Sequence, residues 1–203
     1  MRMLAIDCAT EACSLALFEN GRLLDHRHEI LGRGHAERLV PLISSLPERG
    51  RAAEIRVSLG PGSFTGVRIG LAAARALGLA WGAKVRGYPT LALVAAMAQR
   101  EHPCPVSVCM AGGHGEWFVQ DFGANGLPEA DAVSISPESA QAKRTHTVLA
   151  GNRSSELAAN SESLKTVVDN LPDASAILAL PEELLAASLS PIYGRDPDAK
   201  LPA

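Results

Sequence analysis

The chain reads as an α/β protein, and three observations carry that reading. Apolar runs of strand length alternate with longer runs of helical period, and the first three strands form a hairpin meander. The later strands are separated by helices, giving the order β-β-β-α-β-α-β-α over the first half.

Each element follows from its residues. Residues 3–9, MLAIDCA, form a strand that ends in Asp7, and Thr10-Glu11 turns the chain. Residues 12–19, ACSLALFE, form the second strand. Asn20-Gly21 then supplies the positive φ that a type I′ hairpin turn needs at both central positions, so residues 22–30 pair back as a third strand. In GHAERLVPLISSLP, Leu39, Leu42, Ile43 and Leu46 recur at helical spacing. Pro41 interrupts one hydrogen bond of that helix and predicts a bend. Residues 54–60 form a short strand that runs into GPGSFTGVRIGLAAARALGLAWG, residues 60–82, a glycine-rich turn opening a long helix. KVRGY, residues 84–88, is the next strand, and residues 89–100 form a helix with Pro89 in its first turn.

The second half begins near residues 99–105. Two strands, residues 105–111 and 116–122, flank Gly112-Gly113. A strand at residues 133–136 precedes a helix over residues 137–142. A strand at residues 145–151 precedes a helix over residues 154–159. ILALPEELLAASL is expected to be helical with a break at Pro181, and the chain is expected to be extended after Pro191. Both halves open with strands, which hints at a distant duplication.

Composition narrows the function classes. The 203 residues are 47% hydrophobic but only 4% aromatic, so the core rests on Ala, Leu, Val and Ile. A net charge of −3 lacks the basic footprint of a nucleic-acid binder, which places any RNA contact largely on a partner. Cys8, Cys13, Cys104 and Cys109 are spaced C-x4-C in each pair. That is a poor zinc spacing, and with no secretion signal they read as buried thiols of a cytoplasmic protein. No apolar run has the length of a membrane span.

The turn and its helix carry two readings each. Gly60, Gly62 and Gly66 around Ser63 could bring backbone amides to a phosphate, or could simply make a tight strand-to-helix turn. Val67-Arg68 stands where a Walker loop has Lys-Ser/Thr. Asp7 and Thr10 could face the same phosphate or its magnesium, or stabilise their own turn. Along the helix Gly66, Gly70, Ala74, Gly78 and Gly82 lie four apart, and Ala72, Ala76 and Ala80 form a second small row. Interior glycine costs a helix about 1 kcal/mol against alanine, which close backbone packing must offset. The neighbour is this chain's own sheet or a helix of another subunit. His26, His28 and His35 lie close in sequence, with His26 and His28 on one face of an exposed strand, a weak case for metal; His102, His114 and His146 are scattered, and no nucleophilic constellation stands out.

LAIDCATEACSLAL, HAERLVPLI, GPGSFTGVRIG and the tail PIYGRDPDAK, in this order, resemble the TsaB (YeaZ) family. The resemblance is dense over residues 3–96 and sparse over residues 98–189. It implies an actin-like, sugar-kinase-like fold of two α/β lobes with mixed sheets, the second lobe reduced: residues 1–101 and residues 102–203. It implies a non-catalytic subunit that binds and activates TsaD, the catalyst of N6-threonylcarbamoylation of adenosine beside the tRNA anticodon, with TsaE as an ATPase partner and tRNA reached through the complex. Its partner interface would include His35, Leu39, Leu42, Ile43, Gly66, Ile69, Gly70, Ala73, Ala74, Leu77, Gly78 and Trp81, with homodimers forming through the same helices. Asp7, Thr10, Gly60, Gly62 and Ser63 are the candidate nucleotide contacts. No metal or cofactor is expected on the chain alone, only ATP or ADP at a complex interface. Tyr88 and Ala92 stand where the TsaD pattern has two metal-binding histidines, and MAGGHGEW, residues 110–117, departs from the family's usual D-A-R-x-G-E-x-Y. The alternatives are an actin-like ATPase or kinase and, more remotely, an M22-type metallopeptidase, which the lack of paired ligands disfavours.

Overall fold

The computed structural model describes residues 1–143, 145–159 and 166–194. Two five-stranded mixed sheets lie face to face around a shared core. The first holds β1 (Arg2–Asp7), β2 (Ala12–Glu19), β3 (Arg22–Ile30), β4 (Glu54–Ser58) and β5 (Lys84–Tyr88), in the order β3-β2-β1-β4-β5. The second holds β6 (Val106–Ala111), β7 (Trp117–Phe122), β8 (Val133–Ile135), β9 (Val148–Ala150) and β10 (Thr166–Val168), in the order β10-β9-β6-β7-β8. Numbered within its own lobe, each sheet has the same strand order, 3-2-1-4-5, so the hinted duplication is visible in the topology.

Helices fill three layers. On the outer face of the first sheet lie α1 (His35–Ser44) and α2 (Phe64–Trp81). Between the sheets lies α3 (Thr90–Glu101), and on the outer face of the second lie α4 (Pro137–Lys143) and α5 (Ser154–Ala158). The alternation of β1 and β2 builds two cores at once. Leu4, Ile6, Leu15 and Leu17 point to α1 and α2, while Met3, Ala5, Ala16 and Phe18 point to α3. Ala5 and Ala16 oppose each other across the β1–β2 pair, within the central core that joins both sheets.

The last described stretch departs from expectation. ILALPEELLAASL forms 3-10 turns at Ala174–Ala179 and Glu182–Leu184 rather than an α-helix. Its backbone groups bond elsewhere: Ala174 N–H donates to Ser14 Oγ, Ala186 exchanges hydrogen bonds with Gly87, and Ile192 N–H donates to the Leu59 carbonyl. This segment therefore lines the first sheet and fastens to it by ion pairs as well. Glu54 and Glu182 are bridged by both Arg56 and Arg86 at 2.8–3.0 Å. Strand β10 was not anticipated from TVV, which is only three residues long. Pro41 sits inside α1, with its ring on the exposed face. Of the tail motif, residues 195–200 lie outside the described residues.

Candidate functional site

A cleft of about 410 Å³ opens between the carboxyl ends of the two sheets, lined in part by Thr10, Glu11, Gly62, Ser63, Gly112 and His114. The glycine-rich turn forms one wall, and its glycines are taken up by the protein's own backbone. A Cβ on Gly62 would overlap the Ala9 carbonyl, and one on Gly66 the Cys8 carbonyl. Ser63 N–H donates to the Ala9 carbonyl at 2.7 Å, and Ser63 Oγ caps α2 by accepting from Gly66 N–H at 3.2 Å. Thr10 Oγ1 accepts from Ala12 N–H within its own turn. Gly60 sits under the Ile192 carbonyl. Of the five candidate nucleotide contacts, Thr10, Gly62 and Ser63 line the cleft. Gly60 and Asp7 are buried behind it.

Asp7 does not face solvent at all. Ala9 N–H donates to one carboxyl oxygen at 2.9 Å and the Tyr88 hydroxyl lies 3.0 Å from the other. Burial pushes the Asp7 pKa up to about 7, against the pull of those hydrogen bonds. The same phenol also lies 3.0 Å from the Ile6 carbonyl. One phenolic proton cannot serve two acceptors, whereas a protonated Asp7 can donate to Tyr88 while Tyr88 donates to Ile6. Tyr88 and Ala92 are both sealed in the core. Neither side chain offers an imidazole, and the Tyr88 hydroxyl is already engaged with Asp7 and the Ile6 carbonyl. Among the described residues no three His, Cys, Asp or Glu side chains converge.

The two outer helices run side by side in the same direction. Their amino ends flank one groove, lined by Gly34, His35, Ser63 and Gly66, and Trp81 meets residues 48–53 at the far end. The structure turns the glycine row inward: Gly66 and Gly70 lie on Cys8, and Gly78 lies on Val85. Ala74 is buried in the same layer, as are Leu39, Leu42 and Ile43. His35 is buried too, with Nε2 3.2 Å from the Ala12 carbonyl. Ile69, Ala73, Leu77 and Trp81 are half-buried against this layer. The side-chain-poor ridge therefore fits α2 onto its own sheet, most tightly at Gly66 and Gly78, where a Cβ would overlap the Cys8 carbonyl and the Val85 side chain. What faces outward is a different row: Ala36, Val40 and Pro41 on α1, and Phe64, Ala72, Ala76, Leu79 and Ala80 on α2. Val40 is 55% exposed and Leu79 is 88% exposed. The signal for this face was present as apolar residues out of phase with the buried glycine row.

A family model described as TsaD, tRNA N6-adenosine threonylcarbamoyltransferase, matches residues 28–172. The TsaB proteins of Escherichia coli K12 and Haemophilus influenzae are each 38% identical to the chain, over 107 and 104 residues. These matches cover 50% and 49% of this chain, and 46% and 42% of those proteins. The chain thus matches somewhat under half the length of these curated relatives. The solved structure of YeaZ from Pseudomonas aeruginosa superimposes with a TM-score of 0.79 at 26% identity, covering 95% of this chain and 99% of that one. The chain belongs to the TsaB (YeaZ) family.

Two features of this TsaB-family chain were not legible in its sequence. At the start of α2 the Arg68 guanidinium lies 3.3 Å from the Phe64 ring centre and donates to the Tyr193 hydroxyl at 2.8 Å. Arg75 likewise donates to the Leu189 carbonyl, so the returning segment runs along one side of α2. In the second lobe the departing stretch MAGGHGEW makes the β6–β7 turn. Gly112 N–H donates to the Glu116 carbonyl, and the Glu116 carboxylate accepts from Ser134 on the neighbouring strand. Its acidic group is therefore engaged with β8.

Proposed function

We propose that this protein is a non-catalytic subunit that docks on TsaD and activates it in N6-threonylcarbamoylation of the adenosine beside the tRNA anticodon. The observation that carries the reading is the outward apolar face of α1 and α2, centred on Val40, Ala72, Ala76 and Leu79. Burying one exposed leucine stabilises a complex by about 1.5–3 kcal/mol. A face with two large and several small apolar residues on parallel helices suits another helix pair. Membership of the TsaB family supports the choice of partner and pathway. The filled histidine positions support the absence of chemistry from this chain. In this reading TsaE joins the assembly and tRNA is reached through the complex. ATP or ADP binds only at a complex interface, the chain pairs with itself through the same face when TsaD is missing, and the assembly is cytoplasmic.

The test is capture of TsaD by the tagged protein carrying Val40→Glu and Leu79→Glu together. Both side chains are exposed, so the melting curve should not move, and binding should weaken by about 2 kcal/mol or more, roughly thirtyfold. Undiminished capture would remove the docking face from consideration. Leucine at Gly78 is unsuitable for this purpose, because it would collide with Val85 inside the molecule.

A further inference from the structure

We propose that Cys8 and Cys13 form a reversible oxidation site, closing to a disulfide when the protein meets a hydroperoxide. The two thiols lie one step beyond the last paired residues of β1 and β2, Asp7 and Ser14, and so directly oppose each other. Their sulfurs are 3.8 Å apart. Opposed residues on antiparallel strands have Cβ atoms about 4.5–5.5 Å apart, a gap that side-chain rotation and a small strand movement can bridge with an S–S bond. Both side chains point to the layer under α2, where Gly70 leaves the Cys8 sulfur against bare helix backbone. The turn between them is only four residues long, and its Thr10 and Glu11 are half-buried at the cleft.

The two thiols share one hydrogen bond, so only one of them holds the proton between the sulfurs. The hydrogen bond with Cys13 pushes the Cys8 pKa up, and the same bond holds the Cys13 pKa down, with Arg38 adding to the effect on Cys13. In the proposed sequence Cys13 attacks first, as a thiolate, which is the nucleophilic form. Its sulfur attacks one peroxide oxygen, the O–O bond breaks, and hydroxide leaves to take up a proton, leaving a sulfenic acid on Cys13. The Cys8 sulfur then attacks the Cys13 sulfur. The S–O bond breaks, and the departing hydroxide leaves as water with the Cys8 proton. Two thiols and one peroxide give one disulfide and two waters. Both thiols are buried, so the peroxide enters when the short β1–β2 turn opens locally. Closing the bond ties down that turn, and Glu11 on it accepts a hydrogen bond from Asn152 of the second lobe. The oxidation state of the pair therefore reaches the seam between the lobes.

The experiment treats the whole reduced protein with hydrogen peroxide, alkylates it under denaturing conditions, and weighs the tryptic peptide that spans residues 3–22. The expected product is that peptide two hydrogen masses lighter and unalkylated, restored by dithiothreitol. Cys104 and Cys109 should remain alkylatable; burial pushes the Cys109 thiol up to about 12. With Cys8→Ser, Cys13 should stop at a sulfenic acid that dimedone traps. Full alkylation of both cysteines after peroxide would overturn the proposal. So would sulfinic acid on either residue without the lighter peptide, or linkage of either to Cys104.

Discussion

The two lobes share one strand order and differ in almost everything laid upon it. The first sheet has strands of five to nine residues, and the second has three strands of only three. The outer helices of the first lobe run to 10 and 18 residues, those of the second to 7 and 5. The short pair matches its short sheet and presents no exposed large apolar side chain among the described residues, whereas the long pair exposes Val40, Phe64 and Leu79. A helix pair that only had to cover its sheet would need neither the length nor the outward leucine. The difference places the exposed apolar helix face on the first lobe, which is why the proposed docking surface lies there, and leaves the second as a base that encloses the shared core.

The glycine turns offer the sharpest way to break this comparison. In the first lobe, Gly66 at the start of α2 lies on the Cys8 carbonyl beyond β1. In the second, Gly151 after β9 lies on the Cys109 carbonyl of β6, with φ at +104°. Each turn leans on the first strand of its own sheet. Gly66→Ala and Gly151→Ala should therefore each cost about 4–5 kcal/mol, because the obstructing atom is backbone and cannot rotate away. Gly70→Ala is the control. Its Cβ would find Cys8 and Val57 at 3.6 Å, ordinary contact, and better helix propensity should leave stability unchanged or raise it by up to about 1 kcal/mol. Urea unfolding midpoints decide the matter. A fully stable Gly66→Ala protein would show that the turn is held open for something other than its own strand.

A second difference is electrostatic: β1 ends on Asp7, while β6 ends on Ala111. Folded Asp7 keeps its proton up to about pH 7, while an unfolded aspartate releases it near the ordinary 3.8. Between these values the folded chain binds more protons, so this group makes stability fall as pH rises, levelling off above about 7. The loss amounts to as much as about 4 kcal/mol. In Asp7→Asn the amide can donate to the Tyr88 oxygen, Tyr88 can donate to the Ile6 carbonyl, and the amide oxygen can still accept from Ala9. The variant should be more stable than wild type at pH 8 and indistinguishable near pH 4. At Glu54 and Glu182 burial works against ionisation, but hydrogen bonds from Arg56 and Arg86 outweigh it and hold both pKa values low. Those groups lose stability as pH falls, equally in both proteins, so the difference between melting curves isolates Asp7. A variant that gains nothing at pH 8 would show that Asp7 is ionised in the folded chain.

These contrasts also explain how much could be read without coordinates. The first lobe announced itself through strong local signals: the Asn20-Gly21 hairpin, the 3.6-residue period of Leu39, Leu42 and Ile43, and the glycine turn before α2. The second lobe has strands too short to establish a period, so β10 passed unnoticed. The segment after Asp173 has helical composition, but its hydrogen bonds go to Ser14, Gly87 and Leu59, far away in sequence. Local propensity could not foresee that. The candidate site was legible in part. Both α1 and α2 were legible as helices, but glycine spacing cannot say which face is inward, and only packing put Gly66 and Gly78 on the sheet and Leu79 in solvent. Asp7 drew attention as a strand-end carboxylate, and nothing in the sequence placed the Tyr88 phenol against it.

The smallest expected effect concerns the seam where the lobes meet at the cleft. Asn152 accepts from Ala111 N–H at 2.9 Å, fixing its own turn to β6, and donates to Glu11 Oε1 at 3.1 Å, reaching across to the β1–β2 turn. Glu11→Ala removes only the crossing bond and should cost about 0.5–1.5 kcal/mol. Asn152→Ala removes both and should cost about 1–3 kcal/mol, because Ala111 N–H is then left without its acceptor. The double variant separates the two contributions. If the crossing bond ties the lobes, its cost should appear once, and the double variant should cost about 0.5–1.5 kcal/mol less than the sum of the singles. Strict additivity would mean that the Glu11 carboxylate is solvated in any case, and that this crossing bond does not help to hold the lobes together. A coupling that disappears after peroxide treatment, but persists in Cys8→Ser, would tie this seam to the thiol pair that flanks the turn carrying Glu11.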